Sequence, residues 1–465
     1  MGTVRNAKGQ MKRSPGIGRL WKLASAAGLA VVAGSAAIYG AMRLMPPGGN
    51  NLLGVTPTEV GLSAEPAAGP SRVDYTHLDQ RIARLMQEPD MVGLAVGTVE
   101  NGRVRFVKGY GEIFAGSGVP VTPDTVFRWG SVSKGVAAAL VVKLAEDGKL
   151  SLDTPVANMG TTLRLPSKSQ NVTIADVLSH RVGLVRNAWD DRLEAGEDPK
   201  LLRTAMAGLP PFCPPSACFA YQNITFDAAT EIVEGLTGRD YATVAHERLF
   251  APLGMTSASV SRAGLQSARS WAQPHRLARM PTTVNDIYYR VPAAGGVNSS
   301  IRDLVRWMRA QMGAAPAVLS PAALEVMHRA RVSTPPHGRR GPMDKALTDA
   351  AYGLGWRSFT YAGHRLVGHR GAVDGYRSLV LFDPADKSGI VMLWNSNWPG
   401  PARLQLEFFD MLYGLPATDW LALAPQPAAL AEAAGSGASE QQPGARIRGG
   451  RQTLPAGASL RTGAP

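Results

Sequence analysis

A serine and a lysine three residues apart stand in Phe127-Arg128-Trp129-Gly130-Ser131-Val132-Ser133-Lys134. An apolar stretch follows from Gly135 to Asp147 and stops at Gly148, the pattern of a helix closed by glycine. At helical positions i and i+3, two side chains share one face about a turn apart. A serine at a helix N-terminus also lies beside unpaired backbone N–H groups that can hold an oxyanion. Its hydroxyl is a weak nucleophile that needs a base, and a desolvated lysine can serve as one. Alone the pair is a weak signal, because a helix cap followed by a surface lysine has the same spacing.

Two further groups strengthen it. Tyr221-Gln222-Asn223 lies on a loop just before a helical stretch through Leu236, and His369-Arg370-Gly371 ends a strand at a turn. Taken singly, such a tyrosine packs half-buried and such a histidine sits on a strand surface. Beside a cationic lysine, however, a tyrosine can have its pKa lowered and act as a base. Asn223 offers a donor and an acceptor to a substrate amide. Gly371 would let a substrate lie against the strand, and the Ala372 N–H would complete an oxyanion hole.

Ser-x-x-Lys, Tyr-x-Asn and His-x-Gly in this order resemble the class C β-lactamase family with its esterase and peptidase relatives. The likeness spans most of residues 75–415. It includes Phe127-Arg128, the run 148–155, the run 177–184, Gly295–Ser300 and the run from Tyr352 to Trp356. The resemblance implies that Ser131 is acylated, that Lys134 and Tyr221 share proton transfer, and that Ser131 and Ala372 N–H groups polarise the carbonyl. It implies that Asn223 orients substrate and that His369 lines the strand side of the cleft. Where β-lactamases of this class carry Lys-Thr-Gly, this chain has His369-Arg370-Gly371, as in the esterase, peptidase and amide-hydrolase branch. A mostly neutral histidine binds a carboxylate less well than an ammonium does. The expected activity is hydrolysis of esters or amides through a Ser131 acyl-enzyme. The alternatives are a cell-wall DD-peptidase, a β-lactamase, or an inactive member of the fold that binds peptidoglycan or a partner.

The elements that must bring these groups together are legible in outline. A helix is expected over Leu78–Met86, and a hairpin over 93–107 turning at Asn101-Gly102. Helices start at Thr173 and Ser300, each a capping-box-like site. Strands are expected at 365–368, 377–382 and 389–393, then a helix over 403–413. Strands at both ends with helices between give an α+β fold. An antiparallel sheet is built from N- and C-terminal segments, is flanked by helices and carries a mostly helical insertion. By the resemblance this is the β-lactamase/DD-peptidase-like architecture, with the hydrolase domain at 73–418.

The net charge of +13 invites a nucleic-acid role, but six of the basic residues lie before residue 23 with no acid among them. That basic segment, 1–22, precedes twenty uncharged residues, Leu23 to Met42, enough to span a bilayer's hydrocarbon. Lysine and arginine on its N-terminal side orient residues 1–22 to the cytoplasm and the domain outward, to the periplasm or extracytoplasmic space. An uncleaved anchor contacting inner-membrane lipid is the preferred reading. A cleaved signal peptide, with Ser35-Ala36-Ala37 as its site, competes with it. Residues 43–72 read as a flexible linker, and the Ala/Gly/Pro-rich stretch 419–465 as a disordered tail. Cys213 and Cys218 read as a disulfide in an exported protein. Eight histidines show no H-E-x-x-H spacing, so neither a metal nor a cofactor is expected. The expected partner is a small-molecule or peptide substrate, with no nucleic acid and no obligate protein.

Overall fold

The computed structural model describes residues 70–335 and 341–423. The expected basic segment, the 23–42 span, most of the linker and the tail beyond 423 lie outside these residues. Among the described residues, no helix is long and apolar enough to cross a membrane.

Helix α1 (Tyr75–Leu85) is capped by Asp74, whose side chain accepts from the His77 N–H. Strands β1 (Gly93–Glu100) and β2 (Arg103–Gly111) form the expected hairpin. Asn101 and Gly102 make its turn at φ of 47° and 77°, the left-handed pair that a two-residue turn of this twist requires. Strand β3 (Val126–Arg128) leads through a tight turn into helix α2 (Ser133–Glu146). After a helical middle, β4 (Asn298–Ser300) returns to pair with β3. Then come β5 (Val332–Ser333), β6 (Thr348–Tyr352), β7 (Arg357–Tyr361), β8 (His364–Val373), β9 (Tyr376–Asp383) and β10 (Ser388–Trp394). The main sheet has the order β2-β1-β10-β9-β8-β7-β6-β5, with antiparallel neighbours throughout. The N-terminal hairpin therefore docks on the last strand, and the helical middle is an insertion between them.

Both faces of the central strands are covered. Ile390, Met392 and Trp394 of β10 join α1 and the C-terminal helix Leu404–Tyr413, while Val391 and Leu393 face α2 and the insertion. This period-two split puts apolar residues at every position, so these strands read as unbroken apolar runs. Helix α2 is the axis of the second layer, buried from Ser133 through Val142.

Two expectations are corrected. Strand β8 continues five residues past Gly368, so His369, Gly371 and Ala372 lie within it, and the turn comes at Asp374-Gly375. The pairing with β9 runs through Val373, whereas β7 stops pairing at Gly368, which leaves residues 369–373 with one edge outside the sheet. Packing also extends beyond 73–418, from the Ser71 hydroxyl on Glu100 at 2.7 Å to Leu421, which is 3% exposed.

Candidate active site

The turn that carries Ser131 is tied down on all sides. The Trp129 N–H donates to Val297 O at 2.8 Å, and its indole N–H to Ser299 at 2.9 Å. The Val297 N–H donates to Ser133 Oγ at 3.0 Å, and the Ser378 hydroxyl donates to Trp129 O. Trp129 is fully buried as a packing residue. Gly130 takes φ of 53°, and a Cβ there would meet Ala372 N at 2.7 Å. A Cβ on Gly371 would stand 1.8 Å from Trp129 O. The two glycines thus let the nucleophile turn press against the sheet face at β8. That is a different reason for Gly371 from the expected one, because the group it admits is the protein's own backbone.

Lys134 is 0% exposed one turn along. Its Nζ stands 2.7 Å from Asn223 Oδ1, 2.9 Å from Ala294 O and 3.4 Å from Ser131 Oγ. Burial pulls its pKa down to about 7, while Asp190 and Asp227 oppose the shift. A neutral amine has two N–H donors and one lone pair. Asn223 and Ala294 take the two donors, so the lone pair is left for the serine.

The Tyr221 hydroxyl donates to Ser131 Oγ at 2.7 Å, and its ring covers the lysine with the centroid 4.6 Å from Nζ. Burial raises its pKa above the ordinary value, the reverse of the lowering expected beside a lysine cation. A lysine held near neutrality supplies little positive field, so desolvation dominates. Tyr221 is therefore a proton donor in this geometry. The His180 ring packs tilted against it at 4.3 Å and accepts the Gln222 N–H through Nδ1 at 3.2 Å. The Cys213–Cys218 disulfide is formed, and its loop is pinned by Gly183 O and by Ser216 Oγ donating to Asp176 at 2.8 Å. Asp176 is also the acid of the Thr173 capping box, so a helix start predicted from sequence holds the loop that leads to Tyr221.

Two expected substrate contacts are corrected. Asn223 is buried as a bridge, with its Oδ1 on Lys134 and its Nδ2 donating to Asp190 at 2.8 Å, rather than presenting both ends to a substrate. His369 is 4% exposed, with Nε2 2.9 Å from the Tyr352 hydroxyl and its ring 6.3 Å from that of Tyr221. It supports the site from behind instead of lining the cleft. Alternation along β8 sends Arg370 to the other face, where burial lowers its pKa to about 10.

Ser131 and Ala372 line two cavities that meet at the free edge of β8. One, about 980 Å³, is polar and bordered by Arg186, Asp190, Tyr221 and Asn223. The other, about 680 Å³, is walled by Met343, Trp394, Trp398 and Trp420. Asp190, His180, Asp227 and the Ala294 carbonyl were missed in the sequence. Of these, His180 lies within the run 177–184 that carries the resemblance.

The Beta-lactamase family model matches residues 78–414. An unguisins hydrolase of Aspergillus campestris is 30% identical over 351 residues, covering 70% of this chain, which in turn spans 64% of that relative's length. Penicillin-binding protein 4 of Amycolatopsis lactamdurans is 29% identical over 73% of this chain and 90% of its own. The fold matches the octameric penicillin-binding protein homologue from Pyrococcus abyssi with a TM-score of 0.66, at 24% identity over 74% of this chain and 78% of that one. With the family match running from α1 to the C-terminal helix and enclosing every residue of this site, the chain belongs to the beta-lactamase family.

Proposed function

We propose that the protein is a serine hydrolase of ester or amide bonds that works through a Ser131 acyl-enzyme. The observation that carries this reading is the fully buried Lys134, its pKa near 7 and its Nζ 3.4 Å from the Oγ of a serine that Tyr221 also contacts. Neutral Lys134 takes the Ser131 proton as Oγ attacks the carbonyl carbon. The oxygen that gains charge is held by the Ser131 and Ala372 N–H groups. Tyr221, whose raised pKa keeps it protonated, gives its proton to the leaving group, and the Lys134 ammonium returns one to the phenolate. Water, deprotonated by the same pair, then releases the acid. The free edge of β8 offers backbone groups along which a substrate chain can lie.

The name of the Amycolatopsis relative supports a second reading within the same chemistry, in which a penicillin acylates Ser131. The buried His369 offers no exposed cation to a β-lactam carboxylate, which favours esters and peptides as substrates. A panel of short-chain esters, D-Ala peptides and a chromogenic cephalosporin tests the reading. Turnover of at least one class that Ser131→Ala abolishes is expected; turnover of none, with no probe labelling, would make the chain a binding member of the fold. We also assign residues 23–42 to an uncleaved anchor that holds the domain outside the cytoplasm. The disulfide supports this placement. Recovery of the full chain in the soluble fraction would contradict it.

A further inference from the structure

Ser131, Ala372 and Arg377 line both cavities of the cleft and so mark where they meet. Past that junction the second cavity, about 680 Å³, is mostly apolar and falls in the size range of small-molecule pockets. Trp398, Trp420 and Met343 stand on it partly exposed. The buried Trp394 holds the wall in place, its indole N–H donating to Trp398 O at 2.8 Å. The Trp398 N–H in turn donates to Ser396 Oγ at 3.1 Å. Gly400 leaves the room that the Trp398 ring occupies, since a Cβ there would stand 2.2 Å from the indole. The Trp420 indole N–H donates to Asp410 at 2.7 Å, so its polar edge is committed within the protein.

The charged side chains on this cavity are held by the protein as well. Asp419 pairs with Arg81, Arg403 donates to Leu421 O at 3.4 Å, and Arg370 donates to Met343 Sδ at 3.5 Å. Burial raises the pKa of Asp344, which favours its neutral form. What remains open to a ligand is a fixed wall of indole and thioether surface that begins at the nucleophile. Covering such surface is favourable. An aromatic group suits it best, because a rigid ring brings much apolar area, loses little rotamer freedom and packs edge-on or offset against indoles.

We propose that the tryptophan-walled cavity is a specificity subsite that takes an aromatic group of the substrate, so that the preferred esters or amides carry such a group on one side of the scissile bond. This rests on the reading of Ser131 as the nucleophile. The two are separable, because binding is measured without turnover.

The binding arm uses the full chain carrying Ser131→Ala, titrated by calorimetry with two pairs of neutral amides. One pair is N-methyl-4-phenylbutanamide and N-methylbutanamide; the other is N-(3-phenylpropyl)acetamide and N-propylacetamide. In at least one pair the phenyl compound is expected to bind about tenfold or more tightly, and Trp398→Ala in the same background to remove most of that difference. The turnover arm gives the matching methyl and acetate esters to the wild type. The pair in which phenyl raises kcat/KM by about tenfold assigns the aromatic arm to the acid or to the alcohol side, and Trp398→Ala is expected to lower that ratio by a similar factor. Equal binding within both pairs, or a phenyl preference that survives Trp398→Ala, overturns the proposal. Should Trp398→Ala not fold, Trp398→Gln carries the same comparison. Hydrolysis undiminished in Ser131→Ala would sink the nucleophile reading alone, since the binding arm still decides on the subsite.

Discussion

Replacing Asp190 with asparagine removes a negative charge from the cleft wall while keeping an acceptor for the Asn223 amide. That amide links Asp190 to Lys134, with 2.8 Å on one side and 2.7 Å on the other. The carboxylate and the ammonium are then about 7 Å apart, worth about 2 kcal/mol at an effective dielectric of about 20. Solvent at the half-buried carboxylate trims this to about one pH unit of influence on the lysine. The carboxylate favours the charged lysine, so its loss should depress a pKa that burial already brings to about 7. The assay is the pH dependence of kcat/KM on a good ester, which reports the free enzyme's essential base. Wild type should gain activity through a limb centred near pH 7, and Asp190→Asn should move that limb about one unit lower. A limb that stays in place, or moves upward, would refute the assignment of Lys134 as the base.

Lys134→Met should abolish turnover and change how stability depends on pH. The native lysine loses its proton near pH 7 and the unfolded one near 10.5, so between those values the unfolded chain binds more protons. Wild-type stability therefore rises with pH across that window, a slope that urea unfolding at pH 7 and pH 9 should find missing in Lys134→Met. Gly371→Ala forces a methyl against Trp129 O and should cost about 3 kcal/mol along with the displacement of Ser131, read as a lower melting temperature and lost probe labelling. Cys213→Ser opens a loop spanning five residues and should cost about 2 kcal/mol, with a modest loss of activity because Tyr221 follows three residues after Cys218. His369→Lys buries an amine behind Tyr221; it should destabilise the fold in a thermal melt without conferring cephalosporin turnover.

What the sequence made legible was local. The Asn101-Gly102 turn, the Thr173 capping box and the glycine stop at Gly148 are short-range devices, and each stands where its residues indicate. The end of β8 was misread because Gly371 resembles a turn residue, whereas its role is to admit Trp129 O from a segment 242 positions earlier. Strands β5 to β7 went unread because they are short and broken by glycines, and pairing rather than alternation defines them. At the site, Ser131, Lys134 and Tyr221 converge, because motif order carries that information. The bridging of Asn223 to Asp190 and the burial of His369 depend on which face of a strand or loop ends up inward. A residue's type does not encode that. The pKa of Tyr221 shows the same limit, since its sign follows from burial rather than from the identity of a neighbour.

The most direct test of the account is peptide-resolved mass spectrometry of the full chain after treatment with a fluorophosphonate or a penicillin. The account predicts one covalent adduct, on the peptide that contains Ser131, forming faster as pH rises through 7. An adduct on a different residue, or labelling that persists in Ser131→Ala, would contradict it.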